Sequence, residues 1–565
     1  MEREMGFQYG DELQAHVTAP LLAAAPYRAA NLVNDYGMKE QGETGDATHD
    51  NHPQGSDMWM LSGRTEDFEI IFDFQGFYPL GNLYIWNYNR KPAEKDYTLA
   101  GIRNVKITYS LNGADWHKAH AGYVTLQKAG GKDHMPATNM ADGKPFCFAG
   151  QTARYVKLTV PARPGVGNYD EENVLGDSYG LSKVRFTMGE GFAVVRDENW
   201  SAIMQNNDGW TGSDGVFTIP MDGREVYGSG CDTAITFGDT LIDHVDPVDF
   251  HRSDKMHMLH NSCAFVPGSM PDLSRMDFCW GRQEDGSDTS LLNPPTSVFN
   301  DASSPGYYWP QDSVLVEGKC YTYPLTIHDW PEGPEGFQFT VDGVAMVISP
   351  VEDGRIRWEK AVHHKTNLYY ETTGKSIYYG GCVFPNTKAA GMENPDGYIY
   401  LLGTIHEGLA AQLCIARTLE PQIEDGFAWR FYDGEGWTDD IARSAPLAKD
   451  VSCELSLSKI TGKLHAGEYL LVYQQEVNSP IIAYRTAPAP WGPFSEAHEV
   501  YFTEDVCKGC GIYTYNAKAH PHLSPAGEYL VSYNVNTISW QMHMAHGDIC
   551  RPRFIRLQEV CKKDL

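Results

Sequence analysis

The chain has 565 residues, with 74 Asp and Glu against 45 Lys and Arg, a formal net charge of −29. Such an excess of negative charge repels phosphate backbones and anionic bilayers, so it argues against nucleic acid and membrane partners and favours neutral ligands such as glycans. Charged residues at 21% and aromatics at 12% argue against disorder, and the length exceeds one ordinary domain. Abundant Gly (55), Pro (32) and Tyr (32) suit short strands joined by tight turns, with rings to spare for ligands. No run of 18 apolar residues occurs, so no membrane-spanning helix is expected. Met1–Gly6 lacks an apolar signal core. This reads as a cytoplasmic chain as it stands, or a secreted or periplasmic one whose signal has been removed. The cysteines are scattered, which favours reduced and mostly buried thiols. Cys507 and Cys510 are the one close pair, read as a loop disulfide or two unrelated thiols.

Residues 1–190 read as one unit. Strand-like runs fall at 68–74, 80–89, 105–110, 155–158 and 181–186, and Asn112-Gly113 marks a hairpin. No helical period competes, so a β-sandwich is expected. Four segments, Leu83-Tyr84-Ile85-Trp86-Asn87-Tyr88-Asn89, Gly101-Ile102-Arg103-Asn104-Val105, Tyr109 to Trp116 and Ala153 to Leu158, together resemble a discoidin-type (coagulation-factor C-type) module. The resemblance implies a jelly-roll sandwich. It also implies a structural calcium, near Asn31 and Asp35, and in bacterial enzymes an affinity for galactose-like sugars. A sandwich that only packs against a catalytic domain is the other reading, since fold does not fix function.

A boundary is expected within 187–205, and residues 206–565 again read as all-β. Strand pairs recur at irregular intervals, which suits a five-bladed propeller with blades opening near Phe217, Val314, Ile399, Leu455 and Tyr529.

Five patterns bear on chemistry. In Trp210-Thr211-Gly212-Ser213-Asp214-Gly215 and Phe237-Gly238-Asp239-Thr240, two carboxylates adjoin glycines at the ends of adjacent strands. There they would face one mouth of the propeller, one activating water while the other orients it or tunes its pKa. Two ordinary turn aspartates are the plainer reading. Tyr307-Tyr308-Trp309-Pro310-Gln311-Asp312 is either a sugar platform, with Tyr308, Trp309 and Asp312 in contact, or a Pro-kinked loop with core rings. Glu454, among apolar and small residues, suits a general acid with a raised pKa, or an outward residue on an edge strand; Glu476 is the runner-up. In Tyr515-Asn-Ala-Lys-Ala-His520-Pro-His522, an extended backbone would point the two histidines apart. One of them, with Asn534, would then bind substrate. Met256 to Asn261 reads as buried, satisfied His and Asn.

The aspartate segments, with Trp491-Gly-Pro-Phe-Ser495 and Tyr515 to Ser524, resemble bacterial domains of unknown function related to endo-D-arabinanases. That resemblance implies a five-bladed propeller that cuts furanoside linkages, with catalytic aspartates at Asp214 and Asp239 and no catalytic cofactor. Asp232, in a longer connection, is a decoy for Asp239. The expectation is a glycoside hydrolase acting on an oligo- or polysaccharide, with Glu454 as an additional acid. The alternatives are a non-catalytic glycan-binding protein and a metal-dependent deacetylase or lyase.

Overall fold

The computed structural model describes residues 12–20, 27–39, 44–51, 57–334, 338–408 and 410–561. Strands dominate, as the composition leads one to expect, and no described helix is long and apolar enough to cross a membrane. Contacts divide the chain into Met1–Val195 with Gln558–Leu565, and Arg196–Leu557.

The first unit is organised by one 20-residue strand, Phe68–Asn87, where sequence reading expects two. Its first half pairs antiparallel with Thr152–Val160, and its second half with Tyr179–Met188. The change of partner falls between Pro79 and Leu80, and the first ladder shifts register at Gln75, whose φ is 57°, and Gly76. Phe68, Ile70, Phe72 and Phe74 alternate inward from the first half. They meet Leu83 and Ile85 from the second, together with Val156, Leu158, Val184 and Phe186. Strand Asn104–Ser110 turns back through the Asn112-Gly113 loop to His117–Lys118, so that hairpin forms. Asn112 Oδ1 accepts from the amides of Ala114 and Asp115, which stabilises the turn.

The oxygens near Asn31 and Asp35 do not fit a calcium ion. The Lys183 ammonium donates to Asn31 O (2.6 Å) and Asn34 Oδ1 (2.8 Å), and the Arg185 guanidinium donates to Asp35 Oδ1 at 2.8 Å. Side-chain cations thus occupy the place expected of the metal. Burial pushes Lys183 down to about 7, with nearby Asp57 and Asp35 opposing the shift. Exchanging calcium for a chelator is therefore expected to leave the thermal midpoint of the chain unchanged. A calcium-dependent rise of several degrees would contradict this.

Among the described residues, the antiparallel strands of the second unit fall into five successive groups, besides the short pair Gly281–Arg282 and Asp288–Thr289. The first is split in two: Asp208–Ser213 with Thr240–His244 and His257–Leu259, and Phe217–Pro220 with Thr233–Phe237, Ser262–Val266 and Asp277–Cys279. The second opens at Tyr307–Trp309, the third at Tyr369–Thr372, the fourth at Leu455–Lys459 and the fifth at Ile512–Ala519. Phe217, Val314, Ile399, Leu455 and Tyr529 each lie at, or one residue inside, a strand start, but four of the groups open earlier. Apolar clusters lie between neighbours. Ile219 packs with Tyr308 and Val347, Val344 with Leu401, and Leu402 with Leu455 and Leu471. Gln474 Nε2 reaches Thr514 Oγ1 between the fourth and fifth groups. Ile235 of the first group shares a core with Leu530 of the fifth.

Two buried arginines fasten the strand that leads to Asp214. Arg551 donates to Thr211 O (3.1 Å), Gln205 Oε1 (2.8 Å), Asn206 O (2.7 Å) and Asn207 Oδ1 (2.8 Å). Arg252 donates to Thr211 Oγ1, Gly547 O and Ile549 O. Cys263 and Cys279, opposite one another on adjacent strands, form a disulfide, contrary to the expectation of reduced thiols. Cys507 and Cys510 form a second.

Candidate functional site

Strand register brings the two aspartates together. Ser213 pairs with Thr240 at the end of the ladder, so Asp214 and Asp239 are the next residues on each side. Asp214 N donates to Asp239 O (3.1 Å), and Gly238 N donates to Asp214 O (2.9 Å). Gly215 has φ 55°, which a side chain would strain. A Cβ on Gly238 would lie 2.3 Å from Asp214 Oδ1, so the glycine is required by that close approach.

The aspartates have different surroundings. Asp214 is partly buried, and its Oδ2 accepts the Tyr515 hydroxyl at 2.7 Å. Asn536 Nδ2 in turn donates to Tyr515 Oη at 2.7 Å. Burial first, then the negative charge of Asp239, pushes Asp214 up to about 7, while the Tyr515 hydrogen bond opposes the shift. The Asp239 side chain is 28% exposed and lies 3.2 Å from His260 Nδ1. Its Oδ1 also accepts Trp309 Nε1 at 3.3 Å. The His260 ring stacks on Tyr307 with centroids 3.6 Å apart.

Glu454 belongs to the same electrostatic cluster. It is buried, and its Oε2 has no hydrogen-bond partner among the described residues. Burial raises it to about 8; Lys518 opposes this, and the charges of Asp214 and Asp312 add to it. The Lys518 ammonium sits 3.5 Å from Asp312 Oδ1 and 3.8 Å above the Phe217 ring. Glu225, from the longer connection, is raised well above its ordinary range by burial and then by Asp312.

Other expected contacts are corrected by the structure. Tyr308 is fully buried and bonds His363 Nδ1 through its hydroxyl. Strand alternation turns Tyr307 and Trp309 to the face bearing Asp239 and Tyr308 to the core. Asp312 is buried and accepts Val383 N, so it supports the cluster from behind. Both His520 and His522 are buried. His520 lies between Thr218 Oγ1 and Ser532 Oγ, and His522 Nε2 meets Thr233 Oγ1. A 3-10 turn at Pro521–Leu523 replaces the extended backbone on which the opposite-faces argument rested. Burial holds His520 well below its usual range and His522 down at about 3. Asn534 is buried opposite Tyr515, and its side-chain amide has no partner among the described residues. Glu476 is exposed in a turn, and exposed Asp232 accepts Gly268 N.

Sequence reading missed His260, Tyr307 and Tyr515 as site residues. His260 lay in a segment read as satisfied core. Tyr515 and Lys518 should face opposite sides of a regular strand. A bulge between them, with Asn516 at φ 60°, turns both toward the cluster.

Comparison with solved structures finds a putative hydrolase from Bacteroides ovatus, 17% identical, covering 65% of this chain and 90% of that one with a TM-score of 0.49. CpGH89CBM32-5 from Clostridium perfringens, in complex with GalNAc-beta-1,3-galactose, is 12% identical and covers 31% of this chain and 99% of its own, at a TM-score of 0.19. The exo-beta-1,3-galactanase of Phanerochaete chrysosporium is 12% identical and covers 65% and 66%, at a TM-score of 0.32. No curated protein matches the chain. Residues 197–560 match the family described as a domain of unknown function, DUF5005, and the chain belongs to that family.

Proposed function

We propose that the second unit is a five-bladed β-propeller that hydrolyses glycosidic bonds, with furanose-containing glycans as the first substrates to test. The observation that carries this reading is the unequal pair Asp214 and Asp239. One carboxylate is partly buried against Tyr515 and is pushed up to about 7, where it holds its proton toward neutral pH. The other is open to water and receives an indole N–H. Two adjacent carboxyl groups in dissimilar environments are what general acid/base hydrolysis of a sugar acetal uses. Asp239 would activate or orient the attacking water, Asp214 would supply the proton to the leaving oxygen, and Glu454 would serve as a second acid. Tyr307 and Trp309 offer ring surface beside Asp239 for the apolar face of a sugar. The five strand groups, with a shared core between the last and the first, support the propeller reading.

The test is a screen of polysaccharides and aryl furanosides and pyranosides, with product release measured against Asp214→Asn and Asp239→Asn. Turnover by wild type alone supports the reading, and turnover retained by Asp239→Asn overturns the role assignment.

The pH profile supplies a further expectation. Loss of the protons on Asp214 and Glu454 sets the alkaline limb, so kcat/KM should fall as pH rises through about 7 to 8. The Tyr515 hydroxyl favours the ionised form of Asp214, so Tyr515→Phe should move that limb to higher pH. A limb that stays put or moves to lower pH would disconnect Tyr515 from the titration of Asp214.

A further inference from the structure

Arg417 and Arg430 stand directly opposite one another on the antiparallel strands Ala410–Leu419 and Arg430–Tyr432. Like charges in that position repel, and a protein usually relieves them with a carboxylate. In a chain of net charge −29, neither guanidinium forms an ion pair among the described residues. Arg417 is instead clamped between two rings, with Cζ 3.9 Å from the Tyr398 centroid and 4.0 Å from that of Trp437. It also contacts the Tyr400 hydroxyl, which is bonded to Asp396 Oδ2 at 2.6 Å. Both arginines line a surface groove of about 330 Å³, together with Gln422, Asp425, Phe427 and Trp437. Phe427 is 59% exposed there, a large ring left in water.

We propose that this groove is a second ligand site, distinct from the carboxylate cluster, and that it binds a short anionic sugar. The acid group of the sugar, a carboxylate or a sulfate, bridges the two guanidinium groups and removes their repulsion. The sugar ring lies on Phe427, and Gln422 and Asp425 accept its hydroxyls. A long polyanion is a poor occupant, because the rest of the chain repels it. A single acidic residue on an otherwise neutral glycan avoids that repulsion. The proposal does not depend on hydrolysis at the other site.

Titration calorimetry of the full chain with galacturonate, galactose 6-sulfate and galactose tests it, with Arg430→Gln and Phe427→Ala in parallel. Both replaced side chains are exposed, so both variants should fold, which their thermal midpoints will verify. One or both acidic sugars should bind, galactose at least about tenfold more weakly, and each variant should lose about tenfold in affinity. The tighter of the two acids identifies the group that is recognised. Equal affinity for galactose, unchanged affinity in both variants, or no acid binding at about 10 mM would each overturn the proposal.

Discussion

Asp239→Asn is expected to lower turnover of the glycan substrate by about 10³-fold, within the 10²–10⁴ range of a positioned acid/base group. Asn preserves the shape and the oxygen that accepts Trp309 Nε1, so the fold and the thermal midpoint should persist. Asp214→Asn should cost a similar factor but differ in stability. The folded-state pKa of Asp214 is raised from 3.8 to about 7. The unfolded chain therefore gives up its proton first as pH rises, and the cost of the buried charge grows between about pH 4 and 7 and persists above. Asparagine abolishes that cost, so this variant should melt higher than wild type at pH 7 to 8 while being inactive. The double variant should be hardly worse than either single, because groups that act as a unit lose their function together. Near-normal turnover in Asp239→Asn, or additive losses in the double variant, would refute the shared role. A destabilised Asp214→Asn would contradict the account of its environment.

Arg551→Met should be among the most destabilising single changes in the second unit, by at least about 3 kcal/mol. It leaves a buried acceptor at Thr211 and partly buried acceptors at Gln205, Asn206 and Asn207 without that donor, a buried group so orphaned costing about 1–3 kcal/mol and the partly buried ones adding to it. Lys319→Gln is the control. Lys319 pairs with Glu424 at the surface, where both side chains are about half exposed, so its loss should cost about 1 kcal/mol or less. Denaturant unfolding of the full chain measures both. A loss below about 1 kcal/mol for Arg551→Met would show that solvent replaces the clamp.

The all-β character and many strand starts were legible in the sequence, because alternation and Gly-rich turns are local signals. The proximity of Asp214 and Asp239 was legible for the same reason, since both adjoin glycines at the ends of short, pairable strands. Partners supplied by other strand groups were not. Tyr515 reaches Asp214 from the fifth group and shares a side with Lys518 only because of a bulge at Asn516, whereas His260, next to the strand partner of Thr240 within the first group, was read as satisfied core. His520 and His522 show the converse. Their spacing suggested one ligand and one bystander, yet a single 3-10 turn buries both against hydroxyl groups. The Tyr308 reading failed by one residue, which on a strand is the difference between two faces.

The arginine clamp also dictates an order of events during synthesis. The strand ending at Ser213 emerges from the ribosome early in the second unit, yet the guanidinium that holds it belongs to residue 551. More than three hundred residues must be translated before Thr211 can meet that partner, which is separated from it by 340 positions. A nascent chain stalled before Arg551 therefore holds Asp214 on a strand that lacks one of its two arginine fastenings, and this site becomes complete only once Arg551 has been translated.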